Sequence, residues 1–157
     1  MTREVIGFSL ILLVFAIAVL IYRSVQSKRA KQEARLPDFA SHLIENELFD
    51  CLYVATVFAD RPLERVWAYG LGGRGRATVG TSDDKLIIER VGERSISISK
   101  ASVLELTRGG ATIDRGVERR GLVQIRWRLG NEELLTSLRI TANQEANYTK
   151  LSELIGA

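Results

Sequence analysis

The chain is poor in the residues that usually carry chemistry. Its one cysteine, Cys51, cannot form an intramolecular disulfide, so the covalent framework of a small secreted domain is excluded. One histidine, His42, beside one cysteine is too few for a usual zinc site. No serine, cysteine or lysine has a recognisable activating partner. Asp83 and Asp84 are adjacent, so on a strand their carboxylates would point apart. With no acid, base and nucleophile set, we expect no enzyme, no cofactor and no metal. An excess of one charge is also missing. There are 22 basic and 19 acidic residues, a net charge of +3. From Leu52 to Ala157 the counts are 16 and 13, too balanced for a dedicated nucleic-acid binder.

What the chain does have is one long apolar run. Val5–Tyr22 (VIGFSLILLVFAIAVLIY) holds 18 uncharged residues. As a helix it would be about 27 Å long, close to the thickness of a bilayer's hydrocarbon layer. A cleavable signal peptide would have a shorter core, charge on its N-terminal side and small residues after it. Here the charge follows the run, in Arg23, Lys28, Arg29, Lys31 and Arg35, opposed only by Glu33. The positive-inside rule then places the N-terminus outside and the remainder in the cytoplasm, at the cell (inner) membrane. The five basic residues lie within reach of an anionic inner leaflet.

We divide the rest by composition. Residues 23–49 read as a linker, first basic and then acidic. Arg23–Leu36 is rich in helix formers and should continue the helix until Pro37. Pro37–Cys51 carries Asp38, Glu45, Glu47 and Asp50 among apolar residues at loosely helical spacing, which suits a short second helix. Residues 50–157 read as a β domain. Leu52–Phe58 is apolar on both faces, and Asp60-Arg61-Pro62 signals a turn. Short runs follow at Leu63–Tyr69, Arg76–Gly80, Lys85–Arg90, Arg94–Ser99, Ser102–Thr107 and Ala111–Asp114. The clearest alternation is Leu122–Leu129, then a Gly130-Asn131 turn and a return strand over Leu134–Ile140. This hairpin should bury Trp127 and expose Arg126, Arg128 and Arg139. A helix over 143–155 closes the chain, with a capping box from Thr141 to Gln144 or a cap at Asn143, and Gly156 at its stop.

The segment Ala68–Gly80 (AYGLGGRGRATVG) contains a G-x-G-x-x-G at Gly70, Gly72 and Gly75. A dinucleotide fingerprint needs a helix after the glycines, and Arg76–Gly80 reads as a strand. A sharp strand-to-strand connection is the simpler reading.

About seven short strands and a terminal helix are the layout of a PH-like domain: two near-orthogonal antiparallel sheets with the helix capping one open end. The segments LYVATVFADRPLERVWAYGLGGRGRATV (Leu52–Val79) and TIDRGVERRGLVQIRWRLG (Thr112–Gly130), with the N-terminal anchor, resemble a group of small actinobacterial single-pass membrane proteins with a bacterial PH-like domain. Such proteins are sometimes described as export or transporter proteins, and are often encoded beside pyrimidine-biosynthesis genes. The resemblance implies a single membrane anchor and a cytoplasmic PH-like domain. With no catalytic set in the chain, we expect a membrane-anchored cytoplasmic interaction or scaffolding module, assisted by anionic-lipid contact and serving an unidentified protein partner. The alternative is an accessory subunit of a transport or export assembly. Contact with lipid or partner is expected at Arg74, Arg76, Arg119, Arg120, Arg126 and Arg128. The juxtamembrane set Arg23, Lys28, Arg29, Lys31 and Arg35 supports it.

Overall fold

The computed structural model describes residues 2–109, 111–112, 115–116 and 121–156. Helix α1 (Thr2–Glu33) is continuous. By length and composition it can cross a membrane: its mean hydropathy reaches 2.4, and none of that window is buried. The helix stops at Glu33, short of Pro37. The amides of Arg35 and Leu36 both donate to the Gln32 carbonyl, at 3.0 and 2.9 Å, which winds the last turn tight. Leu36 is thereby turned into the core.

The short second helix expected over Pro37–Cys51 is absent. Residues 37–44 carry no regular structure, and β1 (Asn46–Phe58) begins inside the acidic stretch. Its first half finds backbone partners in β3 (Gly75–Ser82), from Asn46 against Thr81 to Tyr53 against Gly75. These long-range hydrogen bonds outweigh a weak local helical pattern.

The remaining strands are β2 (Arg61–Arg65), β4 (Lys85–Arg90), β5 (Ile96–Ser99), β6 (Val103–Gly109), β9 (Leu122–Leu129) and β10 (Glu132–Ile140). Two-residue strands β7 (Ala111–Thr112) and β8 (Arg115–Gly116) pair with each other. The run expected over Leu63–Tyr69 breaks: β2 ends at Arg65, and a 3-10 turn occupies Ala68–Gly70. Asp114, assigned to the short run after Ala111, lies outside the described residues.

The antiparallel order is β5-β4-β3-β1-β10-β9-β6, with β2 alongside β1. The two expected sheets share β1. Residues 46–53 of that long strand pair with β3, and residues 51–58 pair with β10. The side chains of Tyr53–Phe58 are buried on both faces. Trp127 is 1% exposed, whereas Arg126, Arg128 and Arg139 face solvent, as the alternation of β9 and β10 requires.

Helix α2 (Gln144–Ile155) covers the core with Leu151, assisted by Tyr148, Leu154 and Ile155. The expected capping box does not form. Asn143 is the cap residue in a left-handed conformation, and Gln144 Nε2 instead donates to the Ile140 carbonyl at 3.2 Å. Gly156, at φ +74°, ends the helix with its amide on the Ser152 and Glu153 carbonyls.

Candidate functional site: the junction of the apolar helix and the β domain

The end of α1 is bonded into the β domain. Gln32 is buried at 8% exposure. Its Oε1 accepts from the amides of Trp67 (2.6 Å) and Ala68 (3.2 Å), and its Nε2 donates to the Arg65 carbonyl (3.1 Å). Glu33 Oε1 accepts from the Tyr69 amide at 3.1 Å and from Arg29 Nε at 2.8 Å. Tyr69 Oη returns the contact by donating to the carbonyls of Leu36 (2.8 Å) and Glu33 (3.2 Å).

Three successive amides, Trp67 to Tyr69, therefore meet acceptors supplied by α1. An anion does meet one of the amides leading into the glycine-rich stretch, that of Tyr69, and it is the chain's own Glu33 carboxylate. Tyr69 takes φ +52°, a costly region for a non-glycine residue, and its three hydrogen bonds hold it there. Gly70 follows at φ +76°, and Arg90 Nη1 donates to its carbonyl at 2.6 Å. Gly72 lies under the Trp67 ring, where a Cβ would come within 2.5 Å of Cε3. Gly75 has open space around it, so the last glycine of the pattern is not demanded by contact.

Behind the turn a buried polar chain enters the core. Tyr53 Oη donates to the Leu71 carbonyl (2.7 Å) and lies 2.6 Å from Thr56 Oγ1. Thr56 reaches Thr136 at 2.8 Å, and Trp127 Nε1 donates to Thr136 at 2.9 Å. Burial pushes the Tyr53 phenol up to about 12. The Arg90 guanidinium lies 4.8 Å from the Tyr53 ring, and desolvation lowers its pKa.

In front of the joint is a cleft of about 640 Å³. Lys28, Lys31, Gln32 and Arg35 form one wall, at i, i+3, i+4 and i+7 of the helix and the turn after it. Leu63, Glu64, Arg65 and Trp67 form the other. The Arg65 guanidinium stands 5.8 Å from the Trp67 ring, and its Nη1 donates to the Gly72 carbonyl at 3.1 Å. Leu63 is 86% exposed.

A family model described as bacterial PH domain-like matches residues 34–155. The chain belongs to that family. The match begins directly after α1 ends and runs to the last residue of α2. No curated protein and no solved structure matches the chain.

Within this bacterial PH-like domain the expected contact residues do not form one patch. Arg76 and Arg139 are level with each other across Leu52 of β1. Arg126 pairs with Leu135 of β10, four residues from Arg139 and about 13 Å along the strand. Arg126 meets Glu105 at 3.6 Å and Arg128 meets Glu133 at 3.2 Å, so cross-strand carboxylates partly offset both charges. Arg74 and Arg76 are exposed, with no ion pair among the described residues. Arg119 and Arg120 lie outside the described residues.

Of the juxtamembrane set, Arg29 pairs with Glu33 and Arg35 with Glu132, each at 2.8–2.9 Å. Arg23, Lys28 and Lys31 have no such partner among the described residues. Sequence reasoning missed Gln32, Glu33, Trp67 and Tyr69. The helical spacing of the basic face from Lys28 was a usable signal, but nothing local marks the far side of the joint. Among the described residues no group of three or more His, Cys, Asp or Glu is placed to hold a metal.

Proposed function

We propose that this chain is a membrane-anchored, cytoplasmic PH-like interaction module whose basic juxtamembrane face meets anionic lipid. The observation that carries this reading is the joint. The last turn of α1 is hydrogen-bonded into the domain, while the apolar stretch before it remains wholly exposed and wants a hydrocarbon solvent. Helical structure without a break through residues 23–33 favours an uncleaved anchor over a signal peptide. The cationic residues after the apolar stretch favour a cytoplasmic domain. A domain fixed to its anchor presents the same face at the same height above the bilayer, which suits a scaffold. The exposed Arg74 and Arg76 are offered as its contact with an acidic partner or headgroup.

Two measurements test this. The full chain should stay in membranes through alkaline carbonate extraction, and a reporter fused after Ala157 should read as cytoplasmic. Release by carbonate, or an extracytoplasmic reporter, overturns the proposal. For the scaffold role, cross-linking in native membranes should trap a partner that is lost with Arg74→Glu and Arg76→Glu. A pattern of adducts unchanged by those substitutions removes the assigned contact face.

A further inference from the structure

We infer that the cleft between α1 and β2 is a built binding site for the phosphate group of an anionic phospholipid headgroup; this deepens the proposed membrane role and rests on it. Four observations converge there.

The first is charge. Lys28 and Lys31 project from one helix face into the cleft with no ion-pair partner among the described residues. Their neighbours are already engaged: Arg35 with Glu132, and Glu64 with Arg61 at 2.9 Å. The one carboxylate in the wall is thus turned to another cation, which leaves the Lys28 and Lys31 ammonium groups, both lining the cleft, without a counter-charge among the described residues. Exposed ammonium groups without a counter-charge attract phosphate as compact point charges.

The second is shape. A volume of about 640 Å³ is in the range of small-molecule sites, and its two walls come from elements that the joint locks together. A bare helix face has one wall and would attract lipid only diffusely. The third is chemistry of mixed kind. Trp67 and the exposed Leu63 give the cationic cleft an apolar flank, matching a ligand with a charged head and a glycerol or acyl body.

The fourth is height. At 1.5 Å per residue, Lys28 lies about 9 Å and Lys31 about 14 Å beyond Tyr22 along the helix. The headgroup layer is about 5–8 Å deep on each side of a bilayer. Flexible lysine stems cover the difference by reaching back toward the phosphates. Arg23, by contrast, stands next to the apolar stretch and outside the cleft, so it serves as an internal control.

Trp67 supplies the readout, since the other tryptophan, Trp127, is buried in the core. The full chain is placed in phosphatidylcholine nanodiscs, and phosphatidylglycerol is added in increasing mole fraction. The emission of Trp67 should change saturably, and the change should vanish in Trp67→Phe. Lys28→Gln with Lys31→Gln should shift the midpoint by about tenfold or more, on the basis of about one decade or somewhat less for each basic residue near an anionic surface. Lys28→Arg with Lys31→Arg should restore it, and Arg23→Gln should move it much less. No saturable change, or an equal effect of Arg23→Gln, overturns the cleft and leaves only general surface attraction. Soluble glycerol 3-phosphate forms a second arm. Saturation by it at comparable concentration supports the phosphate site but overturns the lipid as its source. Failure of carbonate retention would instead remove the anchor itself, so the two proposals fail separately.

Discussion

Gln32 is the residue on which the joint turns. Its side-chain amide meets three backbone groups of another element, and it is nearly inaccessible to solvent. Gln32→Ala leaves the Trp67 and Ala68 amides without an acceptor. A buried donor without a partner costs about 1–3 kcal/mol. We expect a loss of that size in denaturant unfolding of the full chain in detergent, with faster hydrogen exchange at residues 67–69. Unchanged exchange there would contradict the joint. Cys51 and Tyr53 give a second expectation at this scale. Burial raises both, the thiol to about 12 from 9.0 and the phenol to about 12 from 10.0. The folded state holds these protons more tightly than the unfolded chain. Their contribution is therefore complete below the ordinary thiol and phenol values and is lost as pH climbs toward 12. Stability should fall on the alkaline side, beginning near pH 9. Cys51 should resist alkylation in the native state until the chain unfolds.

At the scale of elements, α2 is held by one fully buried anchor. Leu151 enters the core, and Arg108 clamps the helix from β6 with two hydrogen bonds to Glu145, at 2.5 and 2.7 Å, and a guanidinium 4.0 Å from the Tyr148 ring. Leu151→Ala should cost about 2–5 kcal/mol by loss of transfer energy and the cavity left behind. Arg108→Ala should cost less, because its partner Glu145 is largely solvated. Thermal or denaturant unfolding of the two variants checks the order, and the reverse order would refute it. β1 shows how far an element can be read in advance. Its core half, Leu52–Phe58, was legible because apolar residues on both faces leave a strand few alternatives. Its start at Asn46 was not, because Asn46–Asp50 becomes a strand only through pairing with β3, whose residues lie about 30 positions away.

For the whole molecule, the joint makes α1 and the β domain one body. The strap after the helix adds to this: Arg94 reaches Asp38 at 2.8 Å and bonds the Phe39 carbonyl, while Phe39 packs edge-on to Tyr69 at 5.6 Å. Gln32→Ala with Glu33→Ala should uncouple the two parts without unfolding the β sheet. Spin labels on Ser27→Cys and Asp84→Cys would report it, with Cys51 protected by burial. A narrow distance distribution should broaden markedly in the double variant. A distribution that stays narrow would mean that the strap alone fixes the domain.

The sequence by itself determined the apolar helix, the β9–β10 hairpin with Trp127 inward, and the terminal helix, because each has a local signal of its own, an unbroken apolar run in the first and a periodicity in the other two, that few environments can override. It also exposed the basic face after the apolar run. Only the tertiary structure decided what the glycine-rich stretch does. Its neighbouring amides look free until α1 is docked, and then Gln32 and Glu33, about 35 residues away, fill them. The fold also sorted the cations: docking brings Arg35 to Glu132, strand pairing brings Arg126 to Glu105 and Arg128 to Glu133, and Lys28 and Lys31 are left in a two-walled cleft. Local pattern records which residues prefer water. Which charges remain unpaired depends on what the fold brings within a few ångströms of them.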